Sequence, residues 1–243
     1  MTADRPAFYA LATGGWRDWW TLLHPPYTLW HLSYVALGAA TADRIDPFLL
    51  WMSLLGFFLG VGIAAHSLDE LRGRPLGTAI PRAVLIALAA AALLGAVAVG
   101  WIGVVHVSGW LVAFIAAGLF LVVAYNLELA GGRFHSDAWF ALGWGGFPAL
   151  TGAFAQDGEI TVGAVLIAAG CVWLSAAQRA LSTPVRRLRR HVAAVEGTIT
   201  LRDGTTEAVD GRSLRAAPEA ALRLLSVAVP LLALGAVLAR ILR

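Results

Sequence analysis

From Arg82 to Val105 the chain reads RAVLIALAAAALLGAVAVGWIGVV, with no charge after its first residue. Crossing about 30 Å of bilayer hydrocarbon takes about 20 such residues. Backbone amides have no water to bond there, so each must be satisfied within its own segment, and a run this long is a helix rather than a barrel strand. Further apolar runs lie at 26–42, 47–66, 109–127, 137–155, 161–181 and 218–239, the first of them short. Composition agrees, with a mean hydropathy of +0.73. Hydrophobic residues make up 59% of the chain and charged ones 14%, against about 25% charged in soluble domains. The expected fold class is all-α, a polytopic transmembrane helical bundle of about seven spanning helices.

Charge sets the expected orientation. With the N-terminus inside, regions 1–25, 67–81, 128–136 and 182–217 share one side, and every arginine except Arg44, Arg240 and Arg243 lies in or beside them. Asp43, Asp46, Asp157 and Glu159 lie opposite. Arginines collect on the cytoplasmic side of membrane proteins, so the N-terminus is expected in the cytoplasm; the expected location is a prokaryotic plasma membrane. The chain divides into an interfacial segment at 1–25, six spans with their polar loops over 26–183, a basic insert at 184–217 and a last span at 218–243.

Before the first span, Met1 to Pro25 lacks the apolar core and cleavage site of a signal peptide. Trp16, Trp19, Trp20 and Leu23 recur at helical spacing instead, which predicts a short helix lying in the membrane interface. Trp51, Trp101 and Trp110 suit an aromatic belt at the outer ends. Gly56 with Gly60, and Gly143, Gly145, Gly146 and Gly152 around Pro148, predict close helix packing and one irregular helix. Cys171 has no partner for a disulfide and reads as packing. In the insert, Val185 to His191 is a basic helix carrying Arg186, Arg187, Arg189 and Arg190, suited to anionic lipid or to a substrate diphosphate. Thr198–Leu201 and Thr205–Val209 flank Asp203-Gly204, a hairpin turn signal, and the last helix is expected to begin near Pro218.

Polar residues gather at the arginine-rich ends of the spans. The second run exits through His66-Ser67-Leu68-Asp69-Glu70, followed by Arg72 and Arg74-Pro75-Leu76-Gly77-Thr78. On a helix His66 faces both Asp69 and Glu70, and Glu70 can reach Arg74. Asp69 and Glu70 suit magnesium, a hard ion that takes one or two carboxylates together with phosphate oxygens; the same acids can simply pair with Arg72 and Arg74. Tyr125-Asn126, with Arg133, His135 and Asp137, ends the fourth run. Gln178-Arg179 ends the sixth, where Gln178 could orient a ligand and Arg179 clamp a phosphate. Tyr27, His31 and Tyr34 make a polar stripe in the first span, where an ionisable side chain is a functional candidate.

Pro25-Pro26-Tyr27-Thr28-Leu29, Gly38-Ala39-Ala40, the acidic motif before Arg74-Pro75-Leu76-Gly77-Thr78 and Tyr125-Asn126 with a basic residue after it together resemble the UbiA superfamily of membrane prenyltransferases, over residues 20–240. The resemblance implies a helical bundle whose cytoplasmic cavity holds an isoprenyl diphosphate through magnesium and passes the prenyl group to a lipophilic acceptor. It assigns Asp69, Glu70 and His66 to catalysis, with Asp69 and Glu70 on the metal, and Arg72, Arg74, Tyr125, Asn126, Arg133, Gln178, Arg179 and His31 to substrate. Where the family carries a second aspartate motif, this chain has Gln178, Arg179 and further arginines. The expected activity is therefore divergent prenyl transfer, and the alternative is a non-catalytic relative that binds an isoprenoid lipid. Expected partners are membrane lipids, an isoprenyl diphosphate and the acceptor, and no nucleic acid. A small-molecule transporter is a third class, without an internal repeat to support it. A retinal protein is excluded because the chain has no lysine for a Schiff base.

Overall fold

The structure, a computed structural model, describes residues 5–242, and 73% of the chain is helical. In chain order the elements are α1 (Trp16–Leu23), α2 (Pro25–Ala39), α3 (Pro47–Phe57), a π-helical segment (Phe58–Ala65), α4 (His66–Leu71), α5 (Arg82–His106), α6 (Leu111–Asn126) and α7 (Leu129–Gly132). They continue as α8 (Asp137–Ala141), a second π-helical segment (Leu142–Gly146), α9 (Phe147–Asp157), α10 (Val162–Arg190), β1 (Gly197–Thr200), β2 (Thr206–Val209) and α11 (Gly211–Ile241). Among the described residues four helices are long and apolar enough to cross a membrane: Pro47–Leu71, Arg82–His106, Val162–Arg190 and Gly211–Ile241. The molecule is a multi-pass helical membrane protein. The other runs are shorter or interrupted: α2 has 15 residues, α6 has 16, and α8 and α9 are joined through the second π-helical segment.

The helix starts follow from capping. The Asp46 carboxylate accepts the amides of Phe48 and Leu49 ahead of α3, with Pro47 in the first turn where its missing N–H costs nothing. Thr161 caps α10 in the same way. The last helix begins earlier than its apolar run, because Asp210 and Ser213 close a capping box at Gly211 and leave Pro218 inside α11. The basic run 185–190 is likewise the end of α10 rather than a separate helix, since α10 continues through Pro184 to Arg190. At 29 residues it extends about 43 Å, more than the hydrocarbon needs, so its arginine-rich turns project beyond it.

α2 is the hub. It packs on α9, α11, α3 and α10, and two glycines set its distance from α9. A Cβ on Gly38 would run into the Ala149 carbonyl, and one on Gly152 into the Val35 carbonyl. Small residues at such a crossing let backbones touch where lipid supplies no hydrophobic drive. One core joins Trp30 and Tyr34 of α2 to Ala168, Cys171, Leu222 and Val229 of α10 and α11. A second surrounds the first π-helical segment with Ala89, Val122, Tyr125 and Trp144.

α1 turns Trp16, Trp19 and Trp20 outward and buries Asp18, Thr21 and Leu22. Trp51, Trp101 and Trp110 are exposed at the opposite end of the bundle. β1 and β2 pair antiparallel from Gly197 with Val209 to Thr200 with Thr206, and the Asp203 carboxylate accepts from Thr205 in the turn.

Candidate functional site

Two carboxylates adjacent in sequence part company at the end of α4. Glu70 is fully buried, and its oxygens accept the Leu76 amide at 3.0 Å, the Thr78 amide at 2.8 Å and the Thr78 hydroxyl at 2.8 Å. It thereby closes the loop 72–80 onto its own helix. Asp69, one residue earlier, faces another way into a cavity of about 70 Å³ that Tyr9, His24, Tyr27, Arg186 and Arg190 also line. Arg190, Arg186 and His135 lie within electrostatic reach of the Asp69 carboxylate.

Each wall has a local cause. His24 joins α1 to α2 in the left-handed region, φ 46°, directly before Pro25-Pro26. Its Nδ1–H donates to the Leu22 carbonyl at 2.8 Å. His66 repeats the arrangement, donating from Nδ1 to Gly62 of the π-helical segment at 3.0 Å. The two imidazoles stack 4.0 Å apart. A carbonyl can only accept, so each ring keeps its proton on Nδ1 and its lone pair on Nε2. Burial first, and then His66, hold the His24 imidazole well below its ordinary pKa. Burial pushes the Tyr9 hydroxyl well above the ordinary phenol value.

The roof is the segment 5–10. Arg190 Nε donates to the Pro6 carbonyl at 3.3 Å and Arg189 Nη1 to the Arg5 carbonyl at 3.1 Å. The Arg223 guanidinium lies 4.8 Å over the Phe8 ring, and Trp20 Nε1–H reaches the Tyr9 carbonyl at 3.3 Å. Arg189 also forms a bidentate pair with Glu219 at 2.5 and 2.9 Å, which ties α10 to α11 beside the cavity.

The remaining candidates fall elsewhere. Arg72 pairs with Glu128 at 2.6 Å and reaches the Leu127 carbonyl, bracing the 72–80 loop against the end of α6. Arg74 bonds the Thr78 carbonyl of its own loop. Arg179 pairs with Asp137 at 2.7 Å and lies over Phe140. Asn126 returns its amide to the Val122 carbonyl, and Arg133 is exposed. Arg72, Arg74 and Arg179 hold loops and helix ends. His31, Gln178 and Tyr125 form a separate buried group: His31 Nε2 meets the Gln178 oxygen at 3.1 Å, Tyr125 stacks on His135, and both His31 and Tyr125 contact Phe140. Gln178 can only accept with that oxygen, so His31 carries its proton on Nε2, and its buried Nδ1, like the Tyr125 hydroxyl, has no hydrogen-bond partner.

The expected magnesium pair does not fit. Glu70 gives both oxygens to the loop, and among the described residues no group of three or more His, Cys, Asp and Glu is placed to hold a metal ion. What the cavity offers is two guanidinium groups, one carboxylate, a neutral imidazole, two phenols and the Ser182 hydroxyl. With two guanidinium groups against one carboxylate, that set suits an anion. Arg186 and Arg190 share a face of α10 four residues apart, a spacing visible in the sequence. Nothing in the sequence pointed to Tyr9 or His24.

A second space, about 140 Å³, lies between α3, α5, α6 and α9, with Gly56, Phe57, Gly60, Leu93, Trp144 and Phe147 among its walls. Its hydroxyls are already committed, Ser53 to the Leu49 carbonyl and Thr151 to the Phe147 carbonyl, both at 2.8 Å. An apolar cavity near this size stays dry and admits hydrocarbon.

No family model, curated protein or solved structure matches this chain. Its class is set by its own features: a multi-pass helical membrane protein with a roofed, charged cavity at its arginine-rich end.

Proposed function

We propose that the chain is a UbiA-like membrane protein with seven spans and a cytoplasmic N-terminus, and that it binds an isoprenyl diphosphate. The cavity observation carries this reading: Arg186 and Arg190 converge with Asp69, His24 and Tyr27 where a polar headgroup would leave the hydrocarbon. The apolar space lined by Gly56 and Gly60 suits the chain of such a lipid. The isoprenoid identity rests on the resemblance at Pro25–Leu29 and Arg74–Thr78, and the anion on the geometry.

Transfer of the prenyl group to a lipophilic acceptor is the second reading, favoured by His24. Its Nε2 lone pair is available to take a proton from an attacking acceptor, while Arg186 and Arg190 balance the charge of the departing diphosphate. No step is routed through magnesium, because Glu70 is committed to the loop.

The test is calorimetry on the purified protein in nanodiscs with geranylgeranyl diphosphate. Arg186→Gln with Arg190→Gln should weaken binding by about a hundredfold, on the order of 3 kcal/mol for two charge-assisted contacts. Equal affinity in the wild type and the double variant removes the site. Product formation when an aromatic acceptor is added decides between binding and transfer.

A further inference from the structure

Residues 5–10 roof the cavity without belonging to any helix or strand. One backbone hydrogen bond is internal to the segment, from the Ala10 amide to the Ala7 carbonyl. The segment's own Arg5 Nη1 reaches the Ala10 carbonyl at 3.3 Å, and side chains from other elements hold its face: Arg189 and Arg190 hold the Arg5 and Pro6 carbonyls, Trp20 holds the Tyr9 carbonyl, and Arg223 covers Phe8. Behind the strap lie Gly14 and Gly15, with φ of 118° and 62°. Beyond them α1 is pinned, because Asp18 accepts the amides of Gly14 and Ala79. The chain is anchored again at Leu11, whose amide donates to the Thr21 hydroxyl oxygen at 3.0 Å, so residues 5–10, held at their face by side chains ahead of that anchor, have the layout of a lid.

Size points the same way. With the strap down the cavity measures about 70 Å³, against about 300 Å³ at the small end of ligand pockets. Arg190, which lines the cavity, spends its Nε–H on an uncharged carbonyl at 3.3 Å. A phosphate oxygen is the stronger acceptor for the same donor.

We infer that the strap is a displaceable lid: a phosphate oxygen of the ligand takes the Arg190 Nε–H from the Pro6 carbonyl, and residues 5–10 swing clear of the cavity. Arg190 is thus the residue that changes partner on binding, and the Pro6 carbonyl occupies its Nε–H until then. The inference rests on the cavity being an anion site.

The experiment follows the strap by thiol labelling. Ala10 is buried at 1% exposure and Cys171 is the lone cysteine, so Ala10→Cys in a Cys171→Ala background reports lid opening through its rate of maleimide labelling. Ala7→Cys, at 9% exposure, serves as a second reporter should the first variant fail to fold. Saturating inorganic pyrophosphate should speed labelling by about tenfold, the loss of one hydrogen bond from a charged donor. Arg190→Gln should speed it by about the same factor without pyrophosphate, and pyrophosphate should then add nothing. Calorimetric binding of pyrophosphate with unchanged labelling overturns the lid and keeps the anion site. Absence of any pyrophosphate binding overturns the anion site itself, and with it the exchange at Arg190.

Discussion

The charged cavity and the apolar one are built by opposite means. The cavity beneath the strap is made of charge: Arg186 and Arg190 from α10, Asp69 from α4 and His24 from a strained junction, each oriented by a hydrogen bond or an opposing charge. The apolar space between α3, α5, α6 and α9 is made by leaving atoms out. Gly56 and Gly60 contribute no side chain, and the nearby hydroxyls turn back onto their own helices. An unpaired polar group in hydrocarbon costs several kcal/mol, which favours placing charged groups at the arginine-rich helix ends and turning hydroxyls in the interior back onto their own helices.

Four measurements would break or sharpen that contrast. The largest effect is expected at Glu70, which supports the charged end without lining it. Glu70→Ala leaves two buried amides and a hydroxyl without their acceptor, and thermal unfolding in detergent should show a loss on the order of 4 kcal/mol. A loss below about 1 kcal/mol would mean that the loop is held otherwise. At the α2–α9 crossing, Gly38→Ala places a methyl against the Ala149 carbonyl and should cost about 3 kcal/mol in the same assay. A neutral result would show that α2 and α9 can separate.

The third prediction concerns pH. The unfolded chain takes up a proton on His24 near pH 6.5, while the folded chain, with that pKa lowered, does not. The stability is therefore complete above that pH and is lost as pH falls through it, by at most about 1.4 kcal/mol per pH unit from this residue. His24→Asn, which suits the left-handed backbone, should flatten the decline in melting temperature between pH 6.5 and 5. An identical slope in the variant would show that His24 is protonated in the folded protein. The smallest stability change is expected at Gly60, where an added Cβ meets nothing within 4 Å. Gly60→Leu should stay within about 0.5 kcal/mol of wild type yet fill the apolar space, and so reduce quenching of Trp144 by brominated alkyl chains, with Trp144→Phe as the control. Undiminished quenching would place the chain elsewhere.

Much of the fold was legible in the residues. Runs such as 82–105 must be helices whatever surrounds them, the α1 tryptophans face outward as their spacing requires, and Asp203-Gly204 turns the hairpin it signals. Helix limits were less legible. α10 and α11 both outrun their apolar stretches, because a helix that leaves the membrane continues as long as its caps and arginine pairs allow. The candidate site was legible only in part. The acidic motif singled out Asp69, but neighbouring residues on a helix point about 100° apart, and only the position of the 72–80 loop shows that Glu70 faces it. Arg72, Arg74 and Arg179 looked equivalent to Arg186 and Arg190 as cations. Their difference lies in what each one meets: Glu128, the Thr78 carbonyl and Asp137 for the first three, and the cavity for the last two.

The amino-acid order alone determined that this chain is helical and lipid-embedded, because apolar runs this long satisfy their own backbone amides as helices and are too long for barrel strands, and it gathered the arginines toward one end. Which of those arginines face an open cavity, which carboxylate is spent on a loop, and that residues 5–10 fold back across α10 were decided by tertiary structure. Each depends on partners distant along the chain, such as Pro6 with Arg190, that no local pattern encodes.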